Sequence, residues 1–375
     1  MHHTPVWDDH PWPGLPRLTG EVQADACVVG LGGSGLAAVG ELLDQGLSVV
    51  GLDAGRVAGG AAGRNGGFVL AGLAAFYHDL RARLGRDLAR RLYAHTRSEL
   101  DRMSAETPDL IRRPGSLRIA LDGSEWEDCL QHGEALRADG FPAEAYAGPE
   151  GRGLLVPGDG VFQPLQRCRT LAKRAMGRGA QLFENTPALE IAPGRVTTPQ
   201  GSVHARRIVV AVDGDLEGLL PELAGRVRSV RLQMLATAPT DEVRLTRPVY
   251  ARFGHDYWQQ LPDGRVALGG GRDLGGEPEW SAPAEPGEVV QAHMDRVLRE
   301  VVGVRVAPIT RRWAARVGYT EGGLPVLEQV RDGVWACGAY SGTGNVLGAR
   351  CGRSAARRAF GHPDSFAEAL DAARA

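Results

Sequence analysis

The stretch that decides the fold is Ala24–Gly55, ADACVVGLGGSGLAAVGELLDQGLSVVGLDAG. Ala26 to Val29 is a short apolar run with β-branched residues, the pattern of a buried parallel strand. Glycines at 30, 32 and 35 follow at once, and Leu36, Val39, Leu42 and Leu43 then recur at helical spacing until Gly46. Leu47 to Leu52 is a second strand, closed by Asp53. Strand, glycine turn, helix and strand in this order predict a dinucleotide-binding unit. Its three glycines serve a tight turn, close approach of backbone to a pyrophosphate, and close helix–strand packing. The helix then meets the phosphates with unpaired N–H groups and the positive end of its dipole. Asp53 stands where an acid accepts hydrogen bonds from a ribose diol. A carboxylate there would repel the 2′-phosphate of NADP, which leaves NAD and FAD. Gly30, Gly32, Gly33, Ser34, Gly35, Asp53, Ala54 and Gly55 are the candidate contacts.

The 375 residues suffice for two domains or one large α/β unit. An apolar content of 43% and a charged content of 23% fit an ordinary globular protein. With a net charge of −2 there is no electrostatic case for nucleic acid or a membrane surface as partner. No apolar run is long enough to span a bilayer. Residues 1–19 lack the basic and apolar regions of a signal peptide and read as an arm laid on the domain surface, so a cytoplasmic location is expected. Cys27, Cys129, Cys168, Cys337 and Cys351 are scattered, with no CxxC or Cys/His cluster. Free thiols are expected, without structural zinc or disulfides. Lys173 is the only lysine.

Further along, apolar residues at three- and four-residue steps predict a helix over 76–106, broken near Gly85. Helices are also expected over 125–139, 165–176 and 288–301, and strands over 115–121 and 208–212 and through 230–271. The chain ends as strand, glycine loop and helix from Val334. Glycine-rich strand–helix units at both ends enclose β-rich material. The fold class expected is α/β (α+β overall): a Rossmann-like nucleotide domain of residues 20–80, 151–225 and 305–375, interleaved with a β-sheet-rich substrate domain of residues 81–150 and 226–304.

A second loop, GGAAGRNGGFV from Gly59 to Val69, sets Arg64 and Asn65 among glycines, more chemistry than a plain turn needs. AAGRNGG, RIVVAVDGDL (Arg207–Leu216) and VWACGAYSGTGNVLG (Val334–Gly348) together resemble flavin-dependent amine and amino-acid oxidoreductases of the D-amino-acid oxidase type, which include sarcosine and glycine oxidases. DYWQQLPDGRVALGGG (Asp256–Gly271) and RRWAARVGYTEGGLPVL (Arg311–Leu327) are most similar to the γ-glutamylputrescine oxidoreductase branch, which implies an amine substrate more than a free D-amino acid.

The resemblance implies FAD, bound non-covalently. It places Gly63, Arg64, Asn65, Gly66 and Gly67 along the flavin edge, Ala188 against adenine and Ala211 near the nucleotide. Gly338, Ser341, Gly342, Thr343, Gly344 and Asn345 fall in the loop over the isoalloxazine. Glycines there allow backbone to approach a flat ring. The reaction implied is hydride transfer from the carbon beside an amine nitrogen to flavin N5, giving an imine that hydrolyses. No side-chain acid or base is required for it. Tyr257 and Trp258 are substrate-pocket candidates, of which at most one can face the flavin, because strand neighbours point to opposite faces. The alternative reading is that both are sheet core. The group's carboxylate-clamping arginine falls at Val317, with Arg316 one step earlier, either a shifted clamp or an ion-pair residue. The flavin-linking cysteine of sarcosine oxidases also falls at Val317, and their oxygen-activating lysine at Ala267, so oxygen or another electron acceptor both remain open. Three readings follow: an FAD-dependent amine oxidoreductase, a D-amino-acid or glycine oxidase proper, or a flavin-bound subunit without turnover.

Overall fold

The computed structural model describes residues 3–280 and 283–375. Strand β1 (Gly20–Val29) lies between two parallel neighbours, β2 (Val49–Leu52) and the strand Gly201–Val210. Gln181–Phe183 continues the parallel order beyond β2, and Val334–Gly338 beyond Gly201–Val210. Helix α1 (Gly33–Asp44) connects β1 to β2. It packs so closely on the helix Leu347–Ala359 that a Cβ at Gly352 would lie 1.9 Å from the Ser34 carbonyl. Layers on both sides explain why Ala26, Cys27 and Val28 are fully buried and why the run contains no polar alternation.

The second sheet has eight strands, in the order Ile309–Thr320, Val227–Thr237, Val266–Gly270, Asp256–Gln260, Val249–Ala251, Ser116–Ile119, Gly151–Val156 and Glu144–Gly148. Phe68–Val69, Gly160–Phe162 and Ile111–Arg112 form a small third sheet between the two. Sheet membership departs from the expected division at two strands. Gly151–Val156 and Ile309–Thr320, read with the nucleotide unit, are hydrogen-bonded into the second sheet. The helix Arg86–Glu106, read with the substrate unit, is tied to the nucleotide side by Arg353 Nε donating to Glu99 Oε1 at 2.9 Å. Periodicity reveals the element, not the layer it joins.

The break expected near Gly85 is present: Gly85, at φ +79°, separates Tyr77–Leu84 from Arg86–Glu106. No helix of the described residues is long and apolar enough to cross a membrane. All five cysteines are free and buried.

The N-terminal arm is core rather than covering; its first two residues lie outside the described ones. Val6, Trp7 and Leu18 are less than 5% exposed. The Trp12 indole donates to the buried Glu184 carboxylate at 2.7 Å, and the Trp7 indole donates to the Asn65 carbonyl at 2.7 Å. Trp7 thereby props the GGAAGRNGG loop from beneath. Trp7→Ala is expected to cost about 3–5 kcal/mol and to loosen FAD, whereas Trp7→Phe, which loses the hydrogen bond but keeps most of the packing, should cost about 1 kcal/mol. Denaturant titration and flavin retention on gel filtration check both.

Candidate flavin and substrate site

A cavity of about 1170 Å³ runs from the end of β1 to the face of the second sheet. At its nucleotide end each glycine of the first motif has a distinct surrounding. Gly30 sits at φ +98°, where a Cβ would approach the Ala211 carbonyl to 2.6 Å; at Gly35 a Cβ would lie 1.8 Å from the Gly30 carbonyl. A Cβ at Gly33 would meet nothing within 4 Å, because it would project into the cavity. Helix α1 starts there without a side-chain cap and without an acid in its first turn. Its free N–H groups suit a pyrophosphate. Asp53 accepts from Leu31 N at 2.8 Å and Gly55 N at 2.9 Å, and burial raises its carboxyl above the usual range. Each oxygen keeps a lone pair for a ribose hydroxyl. These features fit FAD.

In the GGAAGRNGG loop the two polar side chains hold the loop itself. Asn65 Nδ2 donates to the carbonyls of Ala61 (3.1 Å) and Ala62 (2.8 Å), and its Oδ1 accepts from Gly67 N (2.8 Å) and Asn345 Nδ2 (3.1 Å). Arg64 donates to the carbonyls of Gly59 (3.0 Å) and Ala314 (3.1 Å). The Arg64 carbonyl in turn accepts from the Trp313 indole at 2.8 Å. Both residues line the cavity, so the loop presents a rigid edge whose shape Asn65 and Arg64 set. Gly66 approaches Tyr257 so closely that a Cβ would lie 3.0 Å from the ring.

The C-terminal loop is bound to this edge through Asn345, which also donates to the Phe68 carbonyl at 2.7 Å. Ala339 and Ser341 have φ of +53° and +51°, a strained pair of non-glycine residues beside the cavity. Asp213 holds them there: it accepts from Tyr340 N at 2.9 Å, and burial pushes its carboxyl up to about 6.

The other wall is one face of the second sheet. Cross-strand register sets Met234, Gly269, Tyr257, Tyr250, Arg118 and Leu154 in one row. All but Gly269 line the cavity. Tyr257 and Tyr250 pack edge-on against each other and against Phe68. Trp258, one residue on, points the other way into the hydrophobic core of the sheet and is 3% exposed. Alternation of strand side chains thus selects Tyr257 and removes Trp258 from the pocket.

Of the residues expected from sequence, Gly30, Gly32, Gly33, Ser34, Asp53, Ala54, Arg64, Asn65, Gly66, Ala188, Ala211, Tyr257, Arg316, Ser341, Gly342, Thr343, Gly344 and Asn345 line this cavity. Gly35, Gly55, Gly63, Gly67 and Gly338 do not; they stand behind the lining. A Cβ at Gly63 would lie 2.3 Å from the Ala58 carbonyl, and one at Gly338 2.1 Å from that of Val212. Arg316 lies on the wall and forms an ion pair with Asp215 at 2.5 Å. Val317 lines the cavity too, and no lysine does; Lys173 lies 5.6 Å from the Trp12 ring centroid. Cys168 is the one cysteine in the lining, and burial pushes its thiol up to about 11.

Sequence reasoning missed Arg272. It lines the cavity at the start of the turn Arg272–Gly275, with its guanidinium carbon 4.9 Å from the Tyr319 ring centroid and 5.5 Å from that of Trp280. Among the described residues no carboxylate lies within ion-pair distance of it. An arginine directly after Gly269-Gly270-Gly271, at the end of a strand, was the available signal.

Comparison with known proteins agrees with this geometry. The family model of FAD dependent oxidoreductases (DAO) matches residues 25–358. A probable oxidoreductase, OrdL, of Rhizobium meliloti is 30% identical over 93% of this chain and 86% of its own. The γ-glutamylputrescine oxidoreductase of Escherichia coli is 25% identical over the same shares. The crystal structure of glycine oxidase from Geobacillus kaustophilus superposes with a TM-score of 0.76 at 20% identity, covering 92% of this chain and 96% of that one. The chain therefore belongs to the family of FAD dependent oxidoreductases (DAO).

Proposed function

We propose that this protein oxidises the CH–NH bond of a small amine that carries a carboxylate, with non-covalent FAD held by the cavity-lining residues named above from Gly30 to Asn345. The observation that carries the reading is Arg272, a cavity guanidinium without an acidic partner among the described residues. The Tyr319 and Trp280 rings beside it confine the guanidinium, whose planar fork suits two parallel bonds to a carboxylate. Arg316, already bonded to Asp215, is less suited to that task. The substrate thus moves toward the amino-acid side of the family. When bound, FAD supplies the two-electron acceptor. The chain itself orients the substrate and excludes water. Met234 and Tyr257, neighbours in the same row of the wall, make a dry surface for the reacting carbon, which favours the neutral amine from which hydride leaves readily.

The domain division that supports this is a nucleotide unit built on the mixed sheet around β1 and a substrate unit built on the second, mainly antiparallel sheet. The test is anaerobic bleaching of the purified yellow protein by N-methyl amino acids, D-amino acids, and their decarboxylated analogues. Carboxylated members are expected to reduce the flavin faster at equal concentration. Equal rates for the decarboxylated analogues would refute the carboxylate reading, and no bleaching by any compound would favour a flavin-bound subunit without turnover. Reoxidation in air separates oxidase from dehydrogenase.

A further inference from the structure

Asp159 also lies on the cavity wall, immediately before the strand Gly160–Phe162 that pairs with Phe68–Val69. It is 5% exposed. Its Oδ2 accepts from Ser116 Oγ at 2.7 Å and its Oδ1 from Ala71 N at 3.1 Å, which leaves a lone pair on each oxygen. Among the described residues no basic side chain lies within ion-pair distance of it. Other deeply buried acids are neutralised: Glu99 by Arg353, Asp256 by Arg252 and His293, Asp364 by Arg350. Glu125 and Glu184 also lack a basic partner but do not touch the cavity; Asp53 and Asp213 lack one and do line it, and backbone amides from the nucleotide turn and the C-terminal loop hold their oxygens. Arg97 and Arg113 act on Asp159 only from beyond ion-pair distance, and a buried carboxylate facing a cavity without a contacting cation is costly unless one arrives with the ligand.

The surroundings suit a cation. The Phe68 and Tyr250 rings lie 5.2 Å apart on the same stretch of wall, and the charge on Asp159 raises the Tyr250 phenol further after burial. Ring faces attract ammonium groups. We propose that Asp159, with the faces of Phe68 and Tyr250, forms a subsite for a second, non-reacting ammonium group of the substrate. This inference rests on reading the cavity as a substrate site. It assigns a charge at the far end of the molecule, separate from the carboxylate at Arg272.

Two isosteric pairs test it on the holoenzyme: 1,4-diaminobutane against pentylamine, and lysine against 2-aminoheptanoate in both enantiomers. The cationic member of each pair is expected to show a kcat/KM about tenfold higher or more, and Asp159→Asn to bring that ratio near one. A melting-temperature readout runs in parallel: 1,4-diaminobutane should raise the Tm of the wild type more than pentylamine does, and lose that advantage in Asp159→Asn. Equal or better use of the neutral-tailed member, or a preference unchanged in the variant, overturns the subsite. Should neither pair reduce the flavin, the amine reading fails while the wild-type Tm comparison still decides the subsite. That comparison also stands if Asp159→Asn does not fold, with Tyr250→Leu as the second variant.

Discussion

Gly35→Ala is expected to abolish FAD binding by breaking the fold around it, whereas Gly33→Ala should leave the apoprotein as stable as wild type and still weaken FAD about tenfold or more. The two glycines lie within one turn of α1 and differ only in what a methyl group would meet. At position 35 it would press into the Gly30 carbonyl at 1.8 Å, so α1 must lift off β1. Lifting opens the strand–helix contact at the centre of the parallel layer, a cost of about 3 kcal/mol or more. At position 33 it would enter open space on the cavity side. Alanine even improves helix propensity there. A loss of FAD affinity without a loss of stability therefore locates the pyrophosphate at Gly33. Flavin fluorescence titration and urea unfolding of both variants supply the readouts. An unchanged FAD affinity in Gly33→Ala would show that the cofactor lies elsewhere in the cavity.

The second large effect is expected at Arg272. Arg272→Ala should lower kcat/KM for carboxylated substrates about 100-fold, because two charge-assisted hydrogen bonds disappear, together worth about 3 kcal/mol. Reduction of the flavin by a decarboxylated analogue should change far less. Lysine at 272 should recover only part of the loss, since an ammonium cannot make the paired bonds of the planar fork. Arg316→Ala should have the smaller effect, because that guanidinium is already engaged by Asp215. Steady-state kinetics on the matched substrates decide between them. A kcat/KM within threefold of wild type in Arg272→Ala, with a large loss in Arg316→Ala, would move the clamp to the strand Ile309–Thr320.

Gly30, Gly32, Gly35 and Asp53 are legible because their task is local. A positive φ, a tight turn and a helix start all lie within one continuous stretch of backbone, and few residue types satisfy them. Arg64 and Asn65 were legible as unusual but not as to role. Their partners, the carbonyls of Ala61, Ala62 and Ala314 and the amide of Asn345, include groups from the far end of the chain. Arg272 carried only the hint of three preceding glycines, and Asp159 carried none. Nothing in their neighbours reveals that one lacks an acid and the other a base; that depends on which strands the folded sheet sets beside them.

By itself, then, the sequence determined the nucleotide-binding unit, the flavin family and the ends of most helices, because these rest on spacing within short segments. Tertiary structure alone decided the layer to which Gly151–Val156 and Ile309–Thr320 belong and the use of the N-terminal arm as core. It also decided which of Tyr257 and Trp258 faces the cavity, and which charges stand there without partners. The physical reason is the same in each case. Burial and charge pairing are properties of surfaces that meet across hundreds of residues, and the strand register that brings them together is a sum of many weak, distant contacts.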